Sequence, residues 1–337
     1  MAKSKKIKYL SASKIKTFEN CSWLYWCKYH LGLPEKTNEG ALKGSVSHLI
    51  LELLLKKKHK KHFNSITKLL DVDASEPVKR LIIKHLKIYN INRPEIYTEV
   101  CNFILVALQY DFFGKGGTNL DPEFKFEFNN EEPKYNLLGF IDKATIYKKD
   151  KKILITDYKT SKQKFSGEDL NSNLQAMIYS LVAKKLWPKL KPAVRFLFLK
   201  FGKKPAQELE FSEDALKGLE YYLEKLNIQI NDFDASNSES NFAANKPRPK
   251  QGFGGSLLCG FAKQPGQLKK DGSPMWHCAF KFPFDYYVLL DKDGEMIKSY
   301  TEKKECPKPQ KGEKIEKRHY DGCSAHCSPN KDNDFDF

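Results

Sequence analysis

No apolar run among the 337 residues approaches the ~20 that a membrane-crossing helix needs, so no membrane span is expected. The GxxxxGK[ST] spacing of a phosphate-binding loop is also missing. Gly114-Lys115-Gly116-Gly117 is glycine-rich but does not supply it, and no ATPase motor is expected. The basic opening, MAKSKKIKYLSASK, is followed by neither an apolar segment nor a cleavage site, so the expectation is a cytoplasmic chain without a secretory signal. In that setting eight cysteines point to reduced thiols or a metal site, not to a disulfide scaffold. No internal repeat stands out. Acidic residues are the minority charge, 42 Asp plus Glu against 58 Lys plus Arg, which leaves +16 and favours a polyanionic partner through phosphate contacts and counterion release. Any single lysine cluster, such as 56–61, 148–152 or 200–204, reads better as a solvated face; only the whole-chain excess carries the inference. With 30% charged and 13% aromatic residues the chain has the composition of a soluble folded protein.

What is present centres on residues 139–160, GFIDKATIYKKDKKILITDYKT. Two alternating runs, 140–147 and 152–158, flank a polar turn around Lys149-Asp150-Lys151 and predict a β-hairpin. A turn centred there sets Ile146 opposite Ile153, Ala144 opposite Ile155 and Asp142 opposite Asp157. Cross-strand pairs hold their Cβ atoms roughly 4.5 to 5.5 Å apart, and two like charges at that range need a cation between them. Strand alternation puts Lys159 on the same face as Asp157.

Around the hairpin, Ser11 or Ser13 is expected to cap a first helix running to Tyr29, with Ile15, Phe18 and Tyr25 on its apolar side. A second helix is expected from Leu42 to Lys58, with Leu42, Val46, Leu49 and Leu53 inward and His48 and Glu52 sharing a face. Residues 60–117 read as mainly helical, and 124–128 as a strand. A helix is expected over 169–186, with Gln175 and Tyr179 on one side. A strand over 193–201 and a helix over 212–232 follow, and a polar stretch, 235–255, reads as a linker or loop. Beyond it lie a short hairpin, 286–300, and a tail rich in lysine and cysteine that ends in Asp332-Asn333-Asp334-Phe335-Asp336-Phe337.

The order of these elements resembles the RecB-like branch of the PD-(D/E)XK nuclease superfamily, which includes CRISPR-associated and phage exonucleases. Gly44-Ser45-Val46-Ser47-His48 looks like its early helical histidine, Gly139-Phe140-Ile141-Asp142 its Gly-x-x-Asp strand, and Asp157-Tyr158-Lys159 its Asp-x-Lys element. Gln175-Ala176-Met177-Ile178-Tyr179 looks like its Gln-x-x-x-Tyr, and residues 11–21, from Ser11 through Lys14 and Phe18 to Cys21, its opening helix. The resemblance spans roughly residues 9–200. It implies an α/β fold with a restriction-endonuclease-like core, a mixed β-sheet flanked by helices. The expected organisation is a core over 1–235 with a helical insertion at about 60–117, a linker over 236–255 and a cysteine-containing part over 256–337 with an acidic tail.

The resemblance further implies phosphodiester hydrolysis, which needs an activated water and stabilisation of transition-state charge. Asp142 and Asp157 would hold Mg²⁺ or Mn²⁺ through hard oxygens, with His48 as an additional ligand that favours Mn²⁺. Lys159 would orient or deprotonate the attacking water. Gln175 and Tyr179 would position the lysine or the nucleic-acid backbone, and Glu127 is a candidate for orienting the metal site or for a plain solvent-facing residue. The expected function is a metal-dependent DNA nuclease, an exonuclease of replication, recombination or repair, located in the host cytoplasm if phage-encoded. The alternatives are an inactive nuclease-fold subunit that binds DNA and a restriction-type endonuclease.

Family members commonly hold an iron–sulfur cluster with one early cysteine, in the place of Cys21, and three late ones in a C-x-x-C-x5-C pattern. Cys278 matches the first of the late three, but Lys281 and Tyr287 occupy the places of the other two. An iron–sulfur cluster on Cys21 and Cys278, with Cys259, Cys306, Cys323 and Cys327 as candidate substitutes for the missing ligands, therefore stands beside two other readings: a separate zinc site drawn from those same four with His319 or His326, and reduced thiols. The acidic C-terminus resembles the docking tails of single-stranded DNA-binding proteins and reads equally as a frayed end. DNA is the expected partner, with a single-stranded DNA-binding protein, a helicase or another replication protein as candidates beside it.

Overall fold

The computed structural model describes residues 9–35, 37–132, 134–236, 266–268, 270, 272, 275, 277–323 and 326. Cys259, Cys327, most of the expected linker and the acidic tail lie outside the described residues. The chain forms helices α1 (Ala12–Asn20), α2 (Ser22–Tyr29), α3 (Glu39–Leu55), α4 (Lys60–Leu69), α5 (Glu76–Ile88) and α6 (Pro94–Gln109). Strands β1 (Thr118–Asn119), β2 (Phe124–Asn130), β3 (Tyr135–Ile141), β4 (Lys143–Tyr147) and β5 (Lys152–Lys159) follow. Next come α7 (Glu168–Asn171), α8 (Leu174–Leu186), β6 (Lys191–Phe198), β7 (Ala206–Leu209) and the long α9 (Glu213–Ser236). Strands β8 (Phe284–Leu290), β9 (Met296–Tyr300) and β10 (Lys314–Tyr320) come last.

Residues 9–12 and 37–227 make one compact unit, and the other described residues make a second. The first is an α/β unit with a mixed sheet in the order β1-β4-β5-β6-β7, in which β5 and β6 are parallel and the other pairs antiparallel. Parallel neighbours cannot be joined by a tight turn, so α8 carries the chain from β5 to β6. Burial follows from that geometry: Ile153, Leu154, Ile155, Val194, Phe196 and Leu197 are all buried, the continuous apolar reading of strands covered on both faces. α3 through α6 pack into one apolar cluster with Tyr158, Leu197 and Leu199. In the second unit β10, β8 and β9 form an antiparallel sheet. There Trp23 Nε1 donates to the Tyr320 hydroxyl at 2.9 Å, which donates to the Phe280 carbonyl at 3.0 Å.

The hairpin register is as expected, with Ile146 on Ile153 and Ala144 on Ile155. The ladder stops at Lys143 opposite Thr156, however, so Asp142 and Asp157 are not a ladder pair. Asp142 sits at a bend between β3 and β4, where the chain leaves a two-stranded ribbon with β2 and enters the larger sheet. The single expected first helix is two, because Cys21 takes an extended backbone that makes it the N-cap residue of α2. α3 starts earlier than expected, where Asn38 caps it by accepting from Ala41 N at 2.9 Å. Its buried face is Val46, Ile50, Leu51, Leu54 and Leu55, and Leu49 and Leu53 lie off it. A helix this apolar on all sides has no single face for periodicity to pick out. α8 begins at Leu174 under an Asn173 cap, five residues later than expected. β7 and β10 were not visible in the sequence pattern, being short or lysine-rich. Among the described residues no helix is long and apolar enough to cross a membrane.

Two glycines mark close approaches. A Cβ on Gly44 would lie 3.0 Å from Thr160 Oγ1, so α3 comes close to the end of β5 and brings His48 with it. A Cβ on Gly139 would lie 2.4 Å from the Phe126 ring, across the β2–β3 pair. Phe126 is buried and cannot swing away. Gly139→Ala should therefore cost about 1–3 kcal/mol of stability as an overpacked site, read as a lowered Tm. Adding Phe126→Leu should recover part of that loss; an additive double variant would show that the two residues do not compete for space.

Candidate active site

Four elements converge at the end of β5. β5 presents Asp157 and Lys159 on one face, α3 presents His48, the bend after β3 presents Asp142, and α8 presents Gln175 and Tyr179 one turn apart. The Lys159 ammonium lies 2.7 Å from Asp157 Oδ2, donates to Gln175 Oε1 at 2.8 Å, and sits 5.3 Å above the centre of the Phe196 ring. Gln175 uses its amide nitrogen twice, towards Asp157 Oδ1 and towards the Tyr179 oxygen, both at 2.8 Å. Tyr179 has one hydroxyl proton, and its shorter contact is to the Phe140 carbonyl at 2.9 Å; Asp157 Oδ1 lies at 3.3 Å. Every partner of this network reads its neighbour's position, so Asp157 and Lys159 are held from the α8 side.

Asp157 is 4% exposed. Burial pushes its carboxyl up from the ordinary range, Lys159 pulls it back down, and the charge of Asp142 pushes it up again. Its Oδ2 is buried without a hydrogen bond, because the Lys159 contact is close in distance but not aligned as one. A buried carboxylate oxygen with open lone pairs is costly unless a cation meets it.

The other half of the site makes the same demand. Asp142 Oδ2 accepts from Tyr158 N at 2.8 Å, which leaves Oδ1 facing His48 Nδ1 at 3.4 Å. His48 Nε2 is 3.0 Å from the Tyr158 carbonyl, which can only accept, so Nε2 carries the proton. In the neutral ring Nδ1 then turns a lone pair towards a carboxylate. Either a second proton or a metal cation must lie between them. Burial pulls the His48 pKa down, but the hydrogen bond and charge of Asp142 outweigh it, and the result is raised from 6.5 to about 9.

A third ligand joins them that the sequence did not reveal. Glu123, just before β2, brings a carboxylate oxygen within 4.8 Å of the ligand atoms of His48 and Asp142. Its backbone is in the left-handed region, φ +53°, and its N–H bonds to the Asp142 carbonyl at 3.2 Å. A glutamate held in that conformation is uncommon, and here it turns the chain so that the carboxylate reaches the other two donors. Burial, then Asp142, pushes its carboxyl up, and His48 opposes the shift. Glu127, the acidic residue the strand pattern offered instead, points away: it accepts from the Tyr9 hydroxyl at 2.5 Å and pairs with Lys125. Nothing in an alternating strand pattern marks a turn residue just outside it. Imidazole with hard carboxylate oxygens is a donor set that suits Mn²⁺ or Mg²⁺, and the open Asp157 oxygen adds to the fit.

The model of the PD-(D/E)XK nuclease superfamily matches residues 9–259. The chain belongs to this superfamily. Its sheet, with helices on either side, is the fold expected of a PD-(D/E)XK nuclease. Among solved structures it is similar to a "putative exonuclease" from Eubacterium rectale, with 10% identity, 67% of this chain and 82% of that chain covered, and a TM-score of 0.44. A protein from Vibrio cholerae is similar over 64% of this chain and 60% of its own, with 11% identity and a TM-score of 0.21. No curated protein matches the sequence. Members of this superfamily generally use divalent metals, in keeping with the donors present.

Of the described cysteines, Cys101 lies in α6 of the first unit and the others lie in the second. Burial, foremost, pushes the Cys27 thiol up to about 12; the Tyr320 hydroxyl, 3.5 Å away, pulls it down, and the thiols of Cys278, Cys323 and Cys21 add to the rise. Cys21 and Cys278 are thus in electrostatic reach of the same thiol, and Cys27 and Cys323 belong with them. The His326 Nε2 is buried without a hydrogen bond, three residues after Cys323. His319 does not join the thiols, since its Nδ1 pairs with Asp285 at 2.6 Å. Cys306 lies by the Glu302 carbonyl.

The raised His48 pKa fixes a sign for metal binding. Without metal the imidazolium is favoured in the folded protein, stabilising fully below pH 6.5 and losing that contribution as pH rises through about 9. A metal must displace that proton. Calorimetric Mn²⁺ affinity should therefore increase from pH 6.5 to 9, with proton release, and His48→Asn should flatten that dependence. Glu123→Gln should raise the Mn²⁺ concentration needed for binding by about 10-fold or more.

Proposed function

We propose that this nuclease-superfamily protein is a metal-dependent deoxyribonuclease, an exonuclease acting on DNA ends or single strands in replication, recombination or repair. The observation that carries the reading is the open, buried Asp157 Oδ2 beside the Lys159 ammonium, next to the His48, Glu123 and Asp142 donors. Asp142 and Asp157 would hold the metal with His48 and Glu123, and the hard-oxygen share of the set supports Mn²⁺ or Mg²⁺. The bound metal would supply Lewis-acid polarisation of the scissile phosphate and a more acidic water. Lys159, held by Gln175 Oε1, would orient the attacking water, take its proton or offset charge building on the phosphate oxygens. Gln175 and Tyr179 keep the lysine and Asp157 at fixed distance, a positioning role. The net charge of +16 supports a nucleic-acid substrate.

The test is cleavage of end-labelled single- and double-stranded DNA with Mg²⁺ or Mn²⁺. Lys159→Ala should lower the rate roughly 10²- to 10⁴-fold, the usual worth of a general acid or base, and Asp157→Ala should abolish it, with unfolding curves near wild type. Wild-type levels of cutting by either variant would overturn the assigned roles. Tight DNA binding with no cutting under any divalent metal would instead favour the inactive binding subunit.

The thiols support a second resident group. Cys21 and Cys278, with Cys27 and Cys323, would hold an iron–sulfur cluster or zinc, the soft donor set each requires. Anaerobically purified protein should then contain iron with acid-labile sulfide, or zinc, in about one equivalent of site, and Cys278→Ser should lose it. Protein free of all three would leave reduced thiols.

A further inference from the structure

We propose that Phe140 is a stacking platform for an unpaired nucleobase beside the scissile phosphate, so that the substrate class is single-stranded or frayed DNA; this rests on the nuclease reading above. Phe140 is 51% exposed; among the described residues Tyr221 on α9 is more open, at 63%, but has the Lys225 ammonium 5.0 Å from its ring centre. It lies two residues before Asp142 in the chain. The neighbours in β3 explain why it faces out. Leu137, Gly139 and Ile141 pair with Phe128, Phe126 and Phe124 on one face of the ribbon, whereas Phe140 pairs with Lys125 on the other.

The main chain beneath Phe140 is fixed from three directions. Its carbonyl accepts from the Tyr179 hydroxyl, the same hydroxyl that lies 3.3 Å from Asp157 Oδ1, so the main chain that carries the ring is tied to the Asp157 carboxylate through one side chain. Gly139 is seated against the Phe126 ring, and the ladder to Lys125 holds the far side. An exposed aromatic on a rigid support presents a π-face at no ordering cost.

The occupant follows from what surrounds the ring. Lys125 directly across the ribbon is more than half exposed, and Lys159 and the metal donors lie on the Asp142 side. A flat apolar face with cations beside it suits a base with its phosphates, because bases stack on aromatic rings whatever their sequence. One aromatic between Lys125 and Glu127 is too small and too charged to be a protein-docking patch. Inside a duplex both faces of every base are covered by its neighbours, so away from the outer face of a terminal pair Phe140 can be used only by a base that is already unpaired or has frayed.

The test is binding of short DNAs to full-length protein carrying Lys159→Ala, which keeps the strand intact. Phe140→Ala, Phe140→Leu and Phe140→Trp are added to it, and 2-aminopurine is placed at successive positions of the strand. Phe140→Ala should weaken single-strand binding about 10-fold and remove the quenching of 2-aminopurine at one position. Phe140→Trp should retain both, Phe140→Leu should fall between, and binding of covalently closed circular duplex, which offers no free base face, should change less than twofold. Equal affinities for Phe140→Ala and its parent, or equal losses on single strand and duplex, would overturn the proposal. Cleavage by the otherwise wild-type protein is measured in parallel: if that protein cuts DNA while Phe140 proves silent, only the stacking platform falls. Absence of cutting with Phe140-dependent single-strand binding removes the nuclease reading and keeps the platform.

Discussion

Two carboxylates that cannot both be charged in a buried place without help set the terms for this site. Asp157 sits near-fully buried on β5, and Asp142 stands close enough to push its carboxyl up. In a low-dielectric setting that repulsion is large, and it has to be met by positive charge. The protein supplies it in two forms, the Lys159 ammonium on one side and the protonatable His48 ring on the other. Neither meets the need fully. Lys159 is misaligned with the Asp157 oxygen it touches, and His48 must hold an extra proton to face Asp142 without conflict. A divalent cation among His48, Glu123 and Asp142 would meet the rest of that demand, which is why the cluster is a candidate metal site.

The fold delivers these groups through a bend. Had the hairpin run straight, Asp142 would have been an ordinary rung opposite Asp157. Instead the strand breaks at Asp142 and changes sheets, and its freed carboxylate is caught by the Tyr158 N–H on the neighbouring strand. The same bend frees the Asp142 carbonyl to accept from Glu123 N, which ties the left-handed turn before β2 to the site. Gly44 completes the arrangement by letting α3 come down on Thr160, and Tyr158 then fixes the His48 tautomer with its carbonyl. Tyr158 thus serves both halves, its N–H holding Asp142 and its C=O holding His48. Its side chain meanwhile belongs to the helical core.

Much of this could be read from the chain alone, and the failures share a cause. Alternation and turn chemistry placed the hairpin and its register, and i to i+2 and i to i+4 geometry put Lys159 beside Asp157 and Gln175 beside Tyr179. These are local rules, and they held where the neighbours were local. The Asp142 bend is decided by two sheets competing for one strand, and periodicity has no term for that. Glu123 comes beside His48 and Asp142 through a backbone conformation that glutamate rarely adopts, so no propensity would have selected it over Glu127. The buried face of α3 was misread because an almost wholly apolar helix turns whichever side its partners require. In the second unit β10 is charged along its length, KIEKRHY, and is a strand because β8 offers it a full ladder, not because its own residues ask for one.

The thiols and the carboxylates solve the same problem in opposite ways, and that contrast bears on how each site is loaded. At the carboxylates, burial raises the cost of the charged form, and the protein keeps internal cations in place that offset part of it. At Cys27, burial pushes the thiol up to about 12, and the nearby thiols push the same way, so the proton itself is the resident cation. A soft metal there has to expel protons that are held tightly, which it can do only by forming several strong sulfur bonds at once. Lys281 N bonds to the Cys278 carbonyl and Cys323 N to the Lys281 carbonyl, so the two late cysteines are tied together through one buried residue. That residue is the lysine standing where the family pattern would carry its next cysteine. A lysine supplies no sulfur, so a cluster held as we propose would need further donors from elsewhere, Cys27 and Cys323 among them.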